Sequence, residues 1–144
     1  MSGCVVDLVI IVDESTSVGT DNFNVMKTFL SQFVGRLEID NGNTRVGLFK
    51  FSSNVNTDGA FFLNAHSSTA GVQSAIGALT YNGGRTHTAA ALEYARTTML
   101  TSANGDRPNV PNVVILLNDG KSNVNREQTP VSTAWNLKKA SLFQ

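Results

Sequence analysis

An open α/β sheet, mostly parallel and doubly wound with helices on both faces, is the fold this sequence predicts, and three observations predict it. Leu8-Val9-Ile10-Ile11-Val12 and Val113-Val114-Ile115-Leu116-Leu117 are continuous β-branched and aliphatic runs, the pattern of strands buried on both faces. Stretches with apolar residues at helical spacing lie between them, so strand and helix alternate. A chain of 144 residues, 41% of them hydrophobic, is enough for one buried core, which sets residues 1–144 as a single domain.

The elements follow in order. After the first strand, Thr20 or Asp21 caps a helix whose apolar positions Met26, Leu30, Phe33, Val34 and Leu37 recur at helical spacing. The turn Asp40-Asn41-Gly42-Asn43 leads to a second strand over Arg45–Phe51, and Ala60–Asn64 reads as a third. Thr69 is an N-cap for a short helix through Val72, Ala75, Ile76 and Leu79, ending near Asn82-Gly83-Gly84. Thr88–Leu100 reads as a further helix with Leu92, Ala95 and Met99 along one stripe, followed by a polar connection over Ser102–Pro111. Beyond the second buried strand, Thr129-Pro130 opens a last helix through Val131, Ala134, Trp135 and Leu137. Trp135 and the phenylalanines at helical spacing are expected in the core.

Composition excludes several classes. Eleven basic and eleven acidic side chains balance, so no global charge steers the chain to nucleic acid or an anionic membrane. The longest apolar run, Leu8–Val12, is too short to cross a bilayer. Met1-Ser2-Gly3-Cys4 lacks the features of a secretory signal, which leaves an intracellular chain or a signal outside this sequence. Cys4 is the single cysteine and has no partner within the chain for a disulfide.

Both buried strands run into an aspartate: Val12 into Asp13-Glu14-Ser15-Thr16-Ser17, and Leu117 into Asn118-Asp119-Gly120. In an open α/β sheet, ligands bind beyond the carboxyl ends of the strands, where strand order reverses. If the strands are neighbours, two carboxylates meet there and repel unless a proton or cation intervenes. Asp13-x-Ser15-x-Ser17 offers one carboxylate and two hydroxyls from a single loop, hard oxygen donors that suit magnesium, manganese or calcium rather than zinc or copper. Neutral hydroxyls leave such an ion attractive to one more anionic oxygen from a partner.

Asp13-x-Ser15-x-Ser17, Gly84-Arg85-Thr86-His87-Thr88 ahead of a helix, and Asp119-Gly120 after a later strand together resemble the metal-ion-dependent adhesion site of von Willebrand factor A domains. The threonine loop resembles that of integrin inserted domains. The likeness spans essentially the whole chain. It implies a Rossmann-like sheet and a non-enzymatic adhesion module of a matrix or cell-surface protein. In that family the ion is held by the positions matching Asp13, Ser15, Ser17, Thr86 and Asp119, and it grips an acidic side chain of a protein ligand, such as a collagen-like or other matrix protein. Magnesium is the expected ion, with manganese or calcium as alternatives. Glu14, Arg85 and His87 are expected at the partner-binding rim, and His66 in a solvated loop.

The family's domains continue through two more strands and a C-terminal helix, so the resemblance implies that this chain stops short of a complete domain, with a sheet edge exposed. It also implies that Cys4, just ahead of the first strand, pairs with a cysteine beyond the last helix in an extracellular, oxidising setting. Asn118 departs from the threonine the family often has before the aspartate, which bears on the hydrogen bonds around the site.

Other readings stay open. Asp13 and Asp119 taken singly are ordinary turn residues, and Ser17 and Thr86 ordinary caps. An A-type domain also serves as an intracellular assembly scaffold. An aspartate ending the first strand resembles the nucleophile of haloacid-dehalogenase-type phosphotransferases, but these usually carry a second aspartate where Ser15 stands, so the usual general acid is absent.

Overall fold

A computed structural model of the chain describes residues 5–117, and Cys4, Asn118, Asp119, Gly120 and the expected helix after Thr129 lie outside them. The elements run β1 (Val6–Asp13), α1 (Gly19–Val34), β2 (Thr44–Phe51), β3 (Val55–Phe61), α2 (Thr69–Gly77), α3 (Thr88–Tyr94) and β4 (Asn112–Leu117). Among the described residues the strands form one sheet in the order β3-β2-β1-β4.

β1 is central because nothing in its run needs water: Leu8, Val9, Ile10, Ile11 and Val12 are all buried. Each such side chain contributes about 1.5–3 kcal/mol by leaving water. β1 pairs in parallel with β2 from Val6↔Thr44 to Asp13↔Phe51, and in parallel with β4 from Asp7↔Asn112 to Val12↔Leu117. The chain thus winds to one side of β1 for β2 and to the other for β4. This reversal marks the carboxyl end of β1 as the place where ligands bind in such sheets.

Strand alternation divides the core between two faces. Leu8, Ile10 and Val12 join Phe23, Leu30 and Val34 of α1 and Val72 and Ile76 of α2 in one cluster. Val9 and Ile11 join Phe49, Phe51, Ala91, Ala95 and Met99 in the other. Helices therefore cover both faces, as the sequence predicts.

Several boundaries differ from expectation. The third strand is Val55–Phe61 rather than Ala60–Asn64. β3 turns back on β2 antiparallel through a tight bend, with Phe51 paired to Val55, so its place is set by that turn and not by the apolar run Ala60-Phe61-Phe62-Leu63. α1 begins at Gly19 after Val18 with no side-chain cap, so neither Thr20 nor Asp21 caps it. Ser68, not Thr69, caps α2 through its hydroxyl, which accepts from the Gly71 amide; the Thr69 amide instead donates to Asp40 Oδ1 at 2.8 Å. The helix expected over Thr88–Leu100 is α3 followed by a widened turn at Ala95–Met99, closed by Leu100 N–H to Ala95 O. That turn delivers Met99 onto β2 at Gly47, where a Cβ would come within 2.9 Å of Met99 Cε. Phe29 is exposed on α1, unlike the buried Phe23, and stacks on Phe33 at 6.0 Å. His66 is half-buried against Phe61, with ring centroids 4.9 Å apart, rather than free in solvent. Among the described residues no helix is long and apolar enough to cross a membrane.

Candidate functional site

The carboxyl end of β1 delivers Asp13 into a short turn. Asp13 Oδ1 accepts the Ser15 amide at 2.7 Å, a side-chain-closed turn that fixes the carboxylate over the strand end. The Val18 amide donates to Ser15 O at 3.0 Å and completes the approach to α1. Within this loop the Ser15 and Ser17 hydroxyl oxygens stand 3.1 Å apart. Asp13 and Ser15 are buried, whereas Ser17 is exposed, so oxygen donors run from the core to solvent.

Thr86 reaches the same region from the loop between α2 and α3. Thr16 N–H donates to Gly84 O at 2.7 Å, and Gly84 N–H donates to Thr16 Oγ1 at 2.9 Å. Only glycine suits position 84: its φ is +122°, and a Cβ there would lie 2.8 Å from Ser52 Oγ. The loop after β2 closes the third side, with His87 N–H on Ser52 O at 2.9 Å and Arg85 N–H on Ser53 Oγ at 3.0 Å. Tyr81 hydroxyl donates to Ser15 O at 2.8 Å and accepts from the Gly19 amide at 3.2 Å. Thr86 is fully buried, Arg85 exposed and His87 half-buried. The structure thus brings the loops of Asp13, Ser15, Ser17 and Thr86 together. Asp119 is outside the described residues, two positions beyond Leu117, whose partner across the sheet is Val12.

Glu14 is a correction. Expected at an exposed rim, it is buried, with Oε1 3.1 Å from Lys50 Nζ. Asn56 donates to its Oε2 at 2.7 Å and Asn82 to its Oε1 at 3.2 Å, while Lys50 also donates to Thr80 O at 2.6 Å. Alternation past Val12 sends Glu14 to the α2 face, where a bare carboxylate would be costly without these partners. Its work is to tie the β1 loop to β3 and to the loop carrying Thr86. Lys50, Asn56, Asn82, Thr16 and Tyr81 were not singled out from the sequence. Lys50, alone and charged within Val46–Phe51, is the signal for a buried acidic partner.

The donor chemistry fits a hard cation. Among the described residues no group of three or more His, Cys, Asp or Glu side chains is placed to hold a metal, so an ion here would rest on hydroxyl oxygens beside Asp13. Among the described residues, Thr88 Oγ1, buried at the start of α3, adds a hydroxyl with no hydrogen-bond partner.

Comparison with known proteins agrees with this layout. The family model for the von Willebrand factor type A domain matches residues 7–142, and the chain belongs to that family. Matrilin-1 of Gallus gallus is 36% identical over 84% of this chain and 24% of its own length. The collagen alpha-4(VI) chain of Mus musculus is 39% identical over 81% of this chain and 5% of its own. Matrilin-4 of Homo sapiens is 40% identical over 81% of this chain and 19% of its own. The chain thus spans about a quarter or less of these matrix-protein relatives. Among solved structures, proximal thread matrix protein 1 from the mussel byssus superimposes with a TM-score of 0.76 at 26% identity, covering 87% of this chain and 34% of that one. A further structure of that protein, with a zinc-occupied site of the metal-ion-dependent adhesion type, gives a TM-score of 0.75 at 26% identity, over 96% of this chain and 35% of that one.

Proposed function

We propose that this chain, read as one A-type domain over residues 1–144, is a metal-dependent protein-binding module of an extracellular matrix protein. The observation that carries the reading is the Ser15 and Ser17 hydroxyl pair, 3.1 Å apart, beside buried Asp13 at the strand-order reversal. Asp13, Ser15, Ser17 and Thr86, joined by Asp119, would hold a divalent cation, magnesium in preference to manganese or calcium. When bound, the ion supplies a positive centre that neutral hydroxyls leave open to a further carboxylate. The chain's own residues do the rest: the Asp13 turn fixes the carboxylate, the Thr16–Gly84 pair holds the Thr86 loop, and Arg85 and His87 face the partner.

The partner is then an acidic side chain of another matrix protein, a collagen-like chain among the candidates, and the setting is extracellular. The matrilin and collagen relatives support the setting, and the byssal protein with zinc in its site supports a divalent cation. The absence of an aspartate at Ser15 speaks against phosphoryl transfer.

Isothermal titration of magnesium or manganese chloride into the folded chain tests the reading. Saturable binding that disappears in Asp13→Ala is expected. No binding by the wild type, or equal binding by the variant, would sink it.

A further inference from the structure

Asparagine is followed by glycine at three places among the described residues: Asn41-Gly42, Asn82-Gly83 and Asn104-Gly105. In such a pair the glycine nitrogen can attack the preceding side-chain carbonyl, because no Cβ obstructs ring closure. A bond forms from the glycine nitrogen to asparagine Cγ, and the side-chain nitrogen leaves as ammonia, taking the proton the glycine nitrogen gives up. Water then opens the cyclic imide at either carbonyl, leaving aspartate or isoaspartate. Water enters, ammonia leaves, and nothing is oxidised or reduced.

The fold treats the three pairs differently. Gly42 N–H is held by Ile39 O at 3.0 Å, while Asn41 donates to Glu38 Oε1 at 3.1 Å and accepts from the Asn43 amide at 3.0 Å. Gly105 N–H is held by Ser102 O at 3.2 Å, and Asn104 donates to Thr98 O at 2.8 Å. Gly83 N–H has no hydrogen-bond partner among the described residues. Asn82 is exposed, and its one hydrogen bond among the described residues, to Glu14 Oε1, is long at 3.2 Å.

We propose that Asn82 is a site of spontaneous deamidation in the folded protein, and that the change loosens the loop at residues 80–87. Aspartate at position 82 would replace a donor to Glu14 with a second carboxylate, beside an acid that Lys50 already neutralises. Isoaspartate would add a methylene to the backbone two residues before Gly84, whose N–H and C=O both bond Thr16. Reaction at this one pair is a one-way chemical clock on the loop that carries Thr86. The inference needs no bound ion.

The test ages the folded chain at mildly alkaline pH, with a parallel sample in guanidinium, and follows each pair by peptide mapping with isoaspartate labelling. In guanidinium all three pairs should react. In the folded chain Asn82 should keep pace, while Asn41 and Asn104 should be about tenfold or more slower, because reaction there waits on local opening. Protection of Asn82 equal to that of the other two, or equal reaction at all three in the folded state, would overturn the proposal. For the consequence, Asn82→Asp should lower the unfolding temperature more than Asn82→Ala, which removes the donor without adding charge. Equal melting of the two variants would remove the repulsion from the account.

Discussion

Lys50 Nζ stands 3.1 Å from Glu14 Oε1, with both side chains 1% exposed. Two charges in that position are tolerable only together. The two asparagine donors and Thr80 O complete their hydrogen bonding. Removing the cation alone, as in Lys50→Met, leaves a buried carboxylate uncompensated and should cost about 3–5 kcal/mol. Urea unfolding checks it, and adding Glu14→Gln should restore a substantial part of the loss. A Lys50→Met variant as stable as the wild type would mean that the pair does not hold the loop.

The pair also shows what the sequence made legible and what it hid. Leu8–Val12 and Val113–Leu117 announce themselves because a strand buried on both faces needs unbroken apolar residues, and the aspartate after the first of them marks the strand end. The hydroxyl spacing of Ser15 and Ser17 is local, and so readable. Glu14 is harder to read: alternation past Val12 points it to the α2 face, but the lysine that makes its burial tolerable lies on another strand. Ala60–Asn64 misled for a related reason: apolar Phe61 and Leu63 are buried, but β3 is fixed by the turn at 52–54 and takes in exposed Thr57 and Asp58. Asp119, central to the expected ion site, lies outside the described residues.

Gly84→Ala should damage the site without touching a donor. The new methyl would sit 2.8 Å from Ser52 Oγ on a backbone with φ of +122°. Incompatible substitutions of this kind cost more than about 1 kcal/mol. The strain falls on the reciprocal Thr16–Gly84 bonds, so the variant should melt earlier and titrate magnesium more weakly. A variant that melts earlier yet binds the ion unchanged would show that Gly84 serves stability alone.

Asp106 gives the fold a pH dependence of the less common sign for a carboxylate. Burial first, then the negative charge of Asp7, raises its pKa above the ordinary 3.8, against the pull of the Asn112 side chain and Arg107. The folded chain therefore holds this proton more tightly than the unfolded chain. The group's contribution is full below its ordinary pKa and is lost as pH rises through the raised value. Asp106→Asn should thus be more stable than wild type near neutrality, with the advantage shrinking on acidification toward about pH 4. Thermal unfolding across that range checks the sign, and a gap that widens in acid would refute it.

Arg107 closes the opposite end of the sheet from the ion site, and its shape matters as much as its charge. Its backbone N–H and Nε reach the two oxygens of fully buried Asp7 at 2.7 and 2.8 Å. Nη1 donates to Gly42 O at 2.9 Å, and Nη2 to Val6 O at 3.1 Å and Asn43 O at 3.0 Å. One guanidinium thereby fastens the start of β1, the turn before β2 and the segment leading to β4. Lysine keeps the charge but lacks the planar fork, so it cannot meet Asp7 and the three carbonyls at once. Arg107→Lys should cost about 1.5–3 kcal/mol, in the range of lost hydrogen bonds to a charged group. Arg107→Met should cost about 3–5 kcal/mol, because Asp7 is left buried without its cation. Because the staple and the candidate ion site lie at opposite ends of β1, titration at a temperature where both variants stay folded should give wild-type magnesium affinity. Weakened affinity in folded Arg107→Lys would show instead that the two ends of the strand are coupled.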